Sequence, residues 1–390
     1  MNFDYSEEQT LIKDSIARYL QKDYPFDARR EIARSETGYS KQHWQQFSEL
    51  GWLAIPFAEE LGGFGGNAID DVIIMEELGK GLALEPYLAT VILFGGLLAS
   101  SADAAQHEQL ITGIVDGSLQ GALAYTEVQS RYALDDLQTT AALNGTDYVL
   151  NGEKIAVANG HTANRIIVSA RTAGSPIDRN GITLFCIDAN AKGVDRESYA
   201  MMDGHRVANI KLSNVTVGSN QIIGELHHGY ALLANTIQRG TVAACAEALG
   251  IMEKLLQTTV AYAQTRKQFG VAIGSFQALQ HRLVDMFIAC EQTRSLLLRT
   301  ACASSKAHAE IEPGKRSELL ALAAKDAAAL KAMVSDAGKL VGDEALQMHG
   351  GIGMTDELDV GHYVKRLMRI NAQFGDYDHA LRDYASQVFG

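Results

Sequence analysis

The hydrophobic period of this chain changes twice, and that change restricts the available folds more than any other feature. In "SEEQTLIKDSIARYL" the apolar residues Leu11, Ile12, Ile16 and Leu20 recur at helical spacing, with Ser6 placed as an N-cap. "PFAEELGGFGG" is a glycine-rich break, and "DDVIIMEELGKGLA" resumes the helical pattern. From about Ala122 to Gly224 the texture is strand-like. There "RIIVSAR", "GITLFCID" and "VANIKLSNVTV" are short β-rich runs separated by turn residues. Asn144-Gly145 and Asn151-Gly152 predict hairpin turns, because the favoured two-residue turn needs positive φ at its centre. Beyond about Gly229 the chain is helical again and alanine-rich. Leu249, Met252, Leu256, Val260 and Ala263 form one stripe, and "SELLALAAKDAAALKAMVSDAGKLVGDEALQM" forms another. The expectation is an α+β protein with a helical domain over residues 1–120, a β domain over 121–226 and a helical domain over 227–390.

A chain of 390 residues exceeds the size of a single hydrophobic core, which agrees with several domains. Acidic residues number 47 against 34 Lys and Arg, a formal charge of -13, so phosphate-tracking nucleic-acid binding is excluded as a primary role. The cysteines (Cys186, Cys245, Cys290, Cys302) are scattered, without a CxxC, and read as reduced, mostly buried thiols. No metal-ligand motif stands out. "MNFDYSEEQT" lacks the basic and apolar regions of a signal peptide. The longest apolar run, "YLATVILFGGLLAS", is shorter than the roughly 20 residues that span a bilayer and reads as a buried core helix. These features describe a soluble, cytoplasmic protein with no membrane span.

Several local signals line up along the chain. Tyr125-Thr126-Glu127 opens the β region. Tyr262-x-x-x-Arg266-x-x-Phe269-Gly270 is followed by Phe276-Gln277 and Leu283-Val284-Asp285-Met286. Gln347-x-x-Gly350-Gly351-x-Gly353 forms a glycine turn after a long helix, and Arg239 precedes Leu249-Gly250 by ten residues. In this order and spacing the chain resembles the acyl-CoA dehydrogenase family from end to end. The resemblance implies an N-terminal helical domain, a middle β-barrel or sandwich domain and a C-terminal four-helix bundle that drives oligomerisation. It implies FAD held by the β domain and the bundle, with its adenine end reaching a neighbouring subunit. Arg266 and Phe269 would contact the pyrophosphate region of the neighbour's FAD, with Gln277 beside them. Gln347, Gly350 and Gly351 would meet the adenosine portion, and Thr126 the flavin ring edge. Arg239 is carried over as a substrate-binding residue. A guanidinium fork suits a pyrophosphate, and glycines admit a ligand close to the backbone.

The family reaction desaturates an acyl-CoA thioester. A carboxylate takes a proton from the α carbon, the β hydrogen leaves as hydride to the flavin, and hydrogen bonds to the thioester carbonyl stabilise the enolate. The resemblance also implies an electron-transfer flavoprotein as acceptor and a homodimer or homotetramer. The sequence departs from the family where the chemistry sits. Counted without gaps from Gly350-Gly351, the usual catalytic Glu falls on Phe374, and the other family location falls on Gln238. The nearest carboxylate is Asp376, a candidate base that is equally an N-cap for the next helix. The Trp-Ile-Thr that covers the flavin reads Ala156-Val157-Ala158, and the usual Gly-Ser-Asp reads Ser130-Arg131-Tyr132. "FAEELGGFGG", "LEPYLATV", "GGIGMTDELDVGHY" and "FGDYDHALR" resemble the small-subunit branch of pimeloyl-CoA-dehydrogenase-type enzymes, which pair with a larger homologue. Three readings stay open: an FAD-dependent acyl-CoA dehydrogenase, alone or in a heteromer; a non-catalytic subunit that completes a larger homologue's FAD site; and another flavin oxidase or monooxygenase on the same fold.

Overall fold

In the computed structural model, which describes residues 5–389, the chain opens with helices α1 (Glu7–Asp23), α2 (Phe26–Arg34), α3 (Lys41–Glu49) and α4 (Ala68–Lys80). A π-helical stretch (Leu88–Gly95) leads into α5 (Gly96–Ser100), and α6 (Glu108–Val115) follows. The strands are β1 (Gly121–Ala124), β2 (Thr140–Asn144), β3 (Asp147–Ala158), β4 (Arg165–Arg171), β5 (Ile182–Asp188), β6 (Val194–Ala200), β7 (Arg206–Gly218) and β8 (Ile222–Ile223). Then come α7 (Tyr230–Thr265) and a hairpin of β9 (Lys267–Gln268) and β10 (Val271–Ala272). Helices α8 (Gln277–Ala309), α9 (Pro313–His349), α10 (Val360–Ala372) and α11 (Tyr377–Phe389) complete the chain. By contacts the chain divides into two units. One comprises residues up to 29, 67–83 and 241–390; the other comprises 30–66 and 84–240. The N-terminal helices are thus shared out, α1 and α4 to the helical unit and α3, α5 and α6 to the unit with the sheet.

In the helical unit, Ser6 caps α1 through a capping box closed by Gln9, and of the apolar stripe Ile16 and Leu20 are buried while Leu11 is exposed. Helix α4 is buried on every side from Asp70 to Gly79, the apolar run Val72–Met75 together with the carboxylates Asp70, Asp71, Glu76 and Glu77. It meets α7 backbone to backbone. A Cβ on Gly79 would stand 2.2 Å from the Glu247 carbonyl oxygen, and one on Gly250 would stand 2.0 Å from that of Glu76. Buried ion pairs flank the crossing. Glu76 takes both terminal nitrogens of Arg294 at 3.0 Å and Lys80 Nζ at 2.7 Å, while Glu247 accepts from Arg366 at 2.6 and 2.7 Å. Burial opposes ionisation of Glu76, yet these cations hold its carboxyl below the usual range. Helix α9 starts at Pro313, packs against α8, α10 and α11, and ends at Gly350 with φ 63° and ψ -146°, a region essentially reserved for glycine.

In the other unit the strands run β6-β7-β3-β2-β4-β5-β8, with β1 pairing parallel to β4. Ala122, Ala141, Leu150, Val168, Phe185 and Ile210 contribute from six strands to one buried core. The apolar run that was too short for a membrane is the buried π-helical stretch and α5, as expected. No helix among the described residues is long and apolar enough to cross a membrane. Thr90 ties this segment to the sheet by donating to the Gly121 carbonyl at 3.1 Å. The hairpin between β2 and β3 forms as expected but one residue later than the dipeptide: Asn144 pairs with Asp147 as the end of β2, and Gly145, at φ 67°, makes the turn with Thr146. Asn151-Gly152 does not make a turn. It lies inside β3, where the register with β7 shifts between Leu150 and Gly152. Gly152 serves there because a Cβ would press within 2.7 Å of the Thr139 Cα, so the glycine marks a bulge and a close approach.

The crossing makes a stability prediction. Gly250→Ala gains up to about 1 kcal/mol of helix propensity, but its methyl meets a backbone oxygen that cannot turn aside. A net loss of about 2 kcal/mol is expected in chemical denaturation. Gly338→Ala on α9, whose new methyl would meet only Leu367 at 3.5 Å, should be neutral or stabilising. Equal effects of the two substitutions would refute the crossing as a packing constraint.

Candidate functional site

The candidate residues fall into two sets, one on each unit. In the unit with the sheet, Thr126 follows β1 and its carbonyl accepts from the Ile155 amide at 2.9 Å. Its neighbour Glu127 anchors the loop. This carboxylate is buried and accepts from Lys154 Nζ at 2.7 Å, from the amides of Gln138 and Thr139 at 2.7 and 3.1 Å, and from Gln129 Nε2 at 2.9 Å. Lys154 is fully buried on β3 and also donates to Ser169 Oγ at 3.1 Å. Burial alone would raise the Glu127 carboxyl, but the Lys154 ammonium and the other donors outweigh it and bring it down to about 2. Burial draws Lys154 down to about 8 against the pull of Glu127. Both groups are charged at neutral pH.

The segment Ala156-Val157-Ala158 closes β3. Ala156 has φ 51°, donates its amide to Asn209 Oδ1 at 3.1 Å, and sits at a second register shift against β7. Val157 is buried, so this stretch presents methyl groups and backbone and no aromatic ring or hydroxyl. Arg131 of Ser130-Arg131-Tyr132 has φ 48°, and Ser130 is buried. Arg239, on the first turns of α7, is half-buried against α5. Gly96 makes the room, since a Cβ there would stand 2.8 Å from the guanidinium Nη1.

On the helical unit Arg266 directly follows α7 and is exposed. Gln268 pairs with Val271, leaving Phe269 and Gly270 as a two-residue turn with φ 53° and 84°. Those angles suit a mirror-image turn, and a bulky residue with positive φ is an outlier worth explaining. Phe269 is 93% exposed and meets Phe276 edge-on at 6.2 Å between centroids. Gln277, Gln347, Gly350 and Gly351 are exposed, and no atom lies within 4 Å of a Cβ built on either glycine. The rings of Tyr262 and His349 stack, which brings the Arg266 hairpin and the Gly350 turn together.

The turn that holds Phe374 and Asp376 is fixed at both ends. Buried Lys331 donates to the last carbonyls of α10, Ile370 at 2.7 Å and Asn371 at 3.1 Å. Burial pushes its amine down. Asp376 Oδ1 accepts the His379 amide at 2.8 Å and the Asp376 carbonyl accepts the Ala380 amide at 2.9 Å, so this carboxylate caps α11. Phe374, with φ 61°, and Gly375, with φ 120°, make the bend. Elsewhere, burial raises the thiols of Cys186, Cys245 and Cys290 to about 12, far from a nucleophilic range. Sequence reasoning named Glu127 but missed its pairing with Lys154. The available signal was a lysine at an inward position of a strand.

With this geometry in place, comparison with known proteins is decisive for the family. Three family models match in order: acyl-CoA dehydrogenase N-terminal domain over residues 6–118, middle domain over 122–215 and C-terminal domain over 227–384. A probable acyl-CoA dehydrogenase, YngJ of Bacillus subtilis, is 30% identical over 377 residues, 95% of each chain. The butyryl-CoA dehydrogenase structure from Megasphaera elsdenii is 26% identical, with a TM-score of 0.89 over all of both chains. The ChsE4-ChsE5 complex of Mycobacterium tuberculosis contains a chain 25% identical, with a TM-score of 0.88 over 100% of this chain and 99% of that one. The chain belongs to the acyl-CoA dehydrogenase family.

The buried pair yields the second prediction. Lys154→Met leaves Glu127 buried without its cation and should cost about 3–5 kcal/mol; pairing it with Glu127→Gln should recover most of that loss. Because the folded Glu127 value is depressed, its contribution is complete above the ordinary value of 4.5 and is lost as pH falls towards about 2. Denaturation followed from neutral pH down to pH about 2 should show this loss in the wild type and not in the double variant. An identical acid profile would contradict the pairing.

Proposed function

We propose that this chain is a subunit of an FAD-dependent acyl-CoA dehydrogenase that introduces an α,β double bond into an acyl-CoA thioester. The observation that carries the reading is the exposed set on the helical unit: Arg266, Phe269, Gln277, Gln347, Gly350 and Gly351. A guanidinium, an aromatic ring in solvent and two glycines with open space over their backbone form a donor set that fits a pyrophosphate joined to an adenosine. A ring held at positive φ in water also fits a side chain that finds its packing partner on another molecule. Arg266 would hold the pyrophosphate with Phe269 and Gln277 beside it, and Gln347, Gly350 and Gly351 would hold the adenosine. Thr126, on the loop anchored by Glu127, would hydrogen-bond the flavin edge, and Arg239 would serve the substrate. When bound, FAD supplies the hydride acceptor, and an electron-transfer flavoprotein is the proposed oxidant of the reduced enzyme.

Such a site completes itself only in an oligomer. On α8, Val284, Phe287 and Ile288 are 52%, 52% and 44% exposed at helical-neighbour spacing, an apolar stripe suited to a subunit interface. A homodimer or homotetramer is the proposed assembly of the chain alone.

A second reading is favoured by one specific observation. Asp376 caps α11, and by the ungapped count from Gly350-Gly351 the usual Glu would fall on Phe374. On this reading the α-proton base belongs to a larger homologous subunit, and this chain completes that subunit's FAD site, as in the pimeloyl-CoA-dehydrogenase small-subunit branch. The two readings separate by colour and bleaching. A yellow chain that bleaches on adding acyl-CoA by itself supports the first; a colourless chain that turns yellow only with the partner supports the second. Arg266→Ala should lower flavin retention on dialysis by about 1.5–3 kcal/mol of binding energy, and unchanged flavin content would remove the FAD assignment. Asp376→Asn should leave stability and flavin reduction intact, since Asn caps about as well as Asp. Loss of flavin reduction with FAD still bound would make Asp376 the base and end the second reading.

A further inference from the structure

Two segments assigned above to the dinucleotide are far apart in sequence, and they are joined by an aromatic stack and a long hydrogen bond from the Tyr262 hydroxyl to the His349 carbonyl at 3.5 Å. Tyr262 lies one helical turn before Arg266, at the end of α7; His349 is the last residue of α9, directly before Gly350. Their rings stack with centroids 4.4 Å apart and planes inclined by 26°. His349 is buried, and its Nδ1 lies 2.8 Å from the Ala345 carbonyl oxygen, a contact that needs the proton on Nδ1 and sets the ring orientation. Gly353 closes over the same residue, since a Cβ there would stand 3.0 Å from His349 Cβ. On the other side the Tyr262 carbonyl accepts the Arg266 amide at 2.8 Å, and the Arg266 carbonyl accepts the Ile273 amide at 2.8 Å. A continuous run of contacts therefore leads from the Gly350 turn through two rings to the base of the exposed hairpin.

We propose that Tyr262 and His349 are positioning residues for the dinucleotide. Their stack sets the separation between the Arg266 guanidinium and the Gly350-Gly351 backbone, so that both address one ligand at once. The inference rests on the FAD reading above. A ligand held at two points is sensitive to the distance between them, and a hairpin with an exposed tip has few contacts of its own to fix that distance. Preorganisation removes the ordering cost that binding would otherwise carry. Neither ring needs to touch the ligand.

The test is FAD affinity in the flavin-carrying assembly, with the larger subunit present if the chain alone holds no flavin. Tyr262→Leu and His349→Leu should each weaken FAD binding about tenfold, within the range of a lost aromatic pair. The double variant should be no worse than either single change, because both remove the same contact. Tyr262→Phe keeps the ring, gives up only the long hydroxyl contact to the His349 carbonyl, and should stay within about twofold of wild type. In the apoprotein, trypsin should cut at Arg266 and Lys267 faster in the Leu variants and at the wild-type rate in Tyr262→Phe. Should a Leu variant fail to fold, His349→Phe, which retains a stacking ring, and His349→Asn, which does not, carry the same comparison. Arg266→Ala is the control for the underlying reading. If it weakens FAD binding while the ring deletions do not, the positioning role is overturned and the FAD site stands. If Arg266→Ala also has no effect, the FAD site itself falls, and the proteolysis result alone judges the stack.

Discussion

The helical unit depends on one contact between backbones. At Gly79 and Gly250, α4 and α7 approach so closely that neither position admits a methyl group. Such a crossing brings polar main chain and charged side chains into the interior together, and the charges there are paired: Glu76 with Arg294 and Lys80, Glu247 with Arg366. Pairs of this kind add little over an apolar core, but removing one partner strands the other. The crossing thus commits several helices to one arrangement. Helix α7 enters it at Glu247 and Gly250 and leaves it carrying Tyr262 near its far end, directly before Arg266. The hairpin that displays Phe269 inherits its direction from that helix.

The unit with the sheet solves a smaller problem in a similar way. The loop after β1 has no regular hydrogen bonding, yet it carries Thr126. Glu127 replaces the missing ladder by collecting two amides, an amide side chain and the Lys154 ammonium. On the proposed reading Thr126 and Arg266 rest on such supports, whereas Ala156-Val157-Ala158 and Phe374 carry no hydroxyl or carboxylate for chemistry at a flavin. Under the proposed assignment the supports and dinucleotide contacts are kept while the reacting groups are replaced, and that unevenness is the reason for proposing a base on a different subunit.

Local features were legible in the sequence. Ser6 caps α1, a hairpin turns at Gly145 directly after Asn144, and the short apolar run is a buried helix, because each follows from neighbours within a few residues. Asn151-Gly152 carries the same dipeptide signal as Asn144-Gly145 but lies in a bulge, because the nearby backbone of Thr139 decides its role. The α4–α7 crossing, the Glu127–Lys154 pair and the Tyr262–His349 stack were not legible for the same reason: each joins residues that only the fold brings together. At the turn before α11 the sequence left Asp376 as either a base or an N-cap, and the structure shows it capping α11 through the His379 amide.

The central claim is that this chain presents dinucleotide contacts to a neighbouring subunit. Sedimentation followed at the flavin absorbance, across a dilution series that dissociates the assembly, tests it most directly. The account predicts that flavin sediments only with the oligomer and is released as free FAD when the subunits separate. Flavin that stays with the monomeric chain on dilution would contradict it.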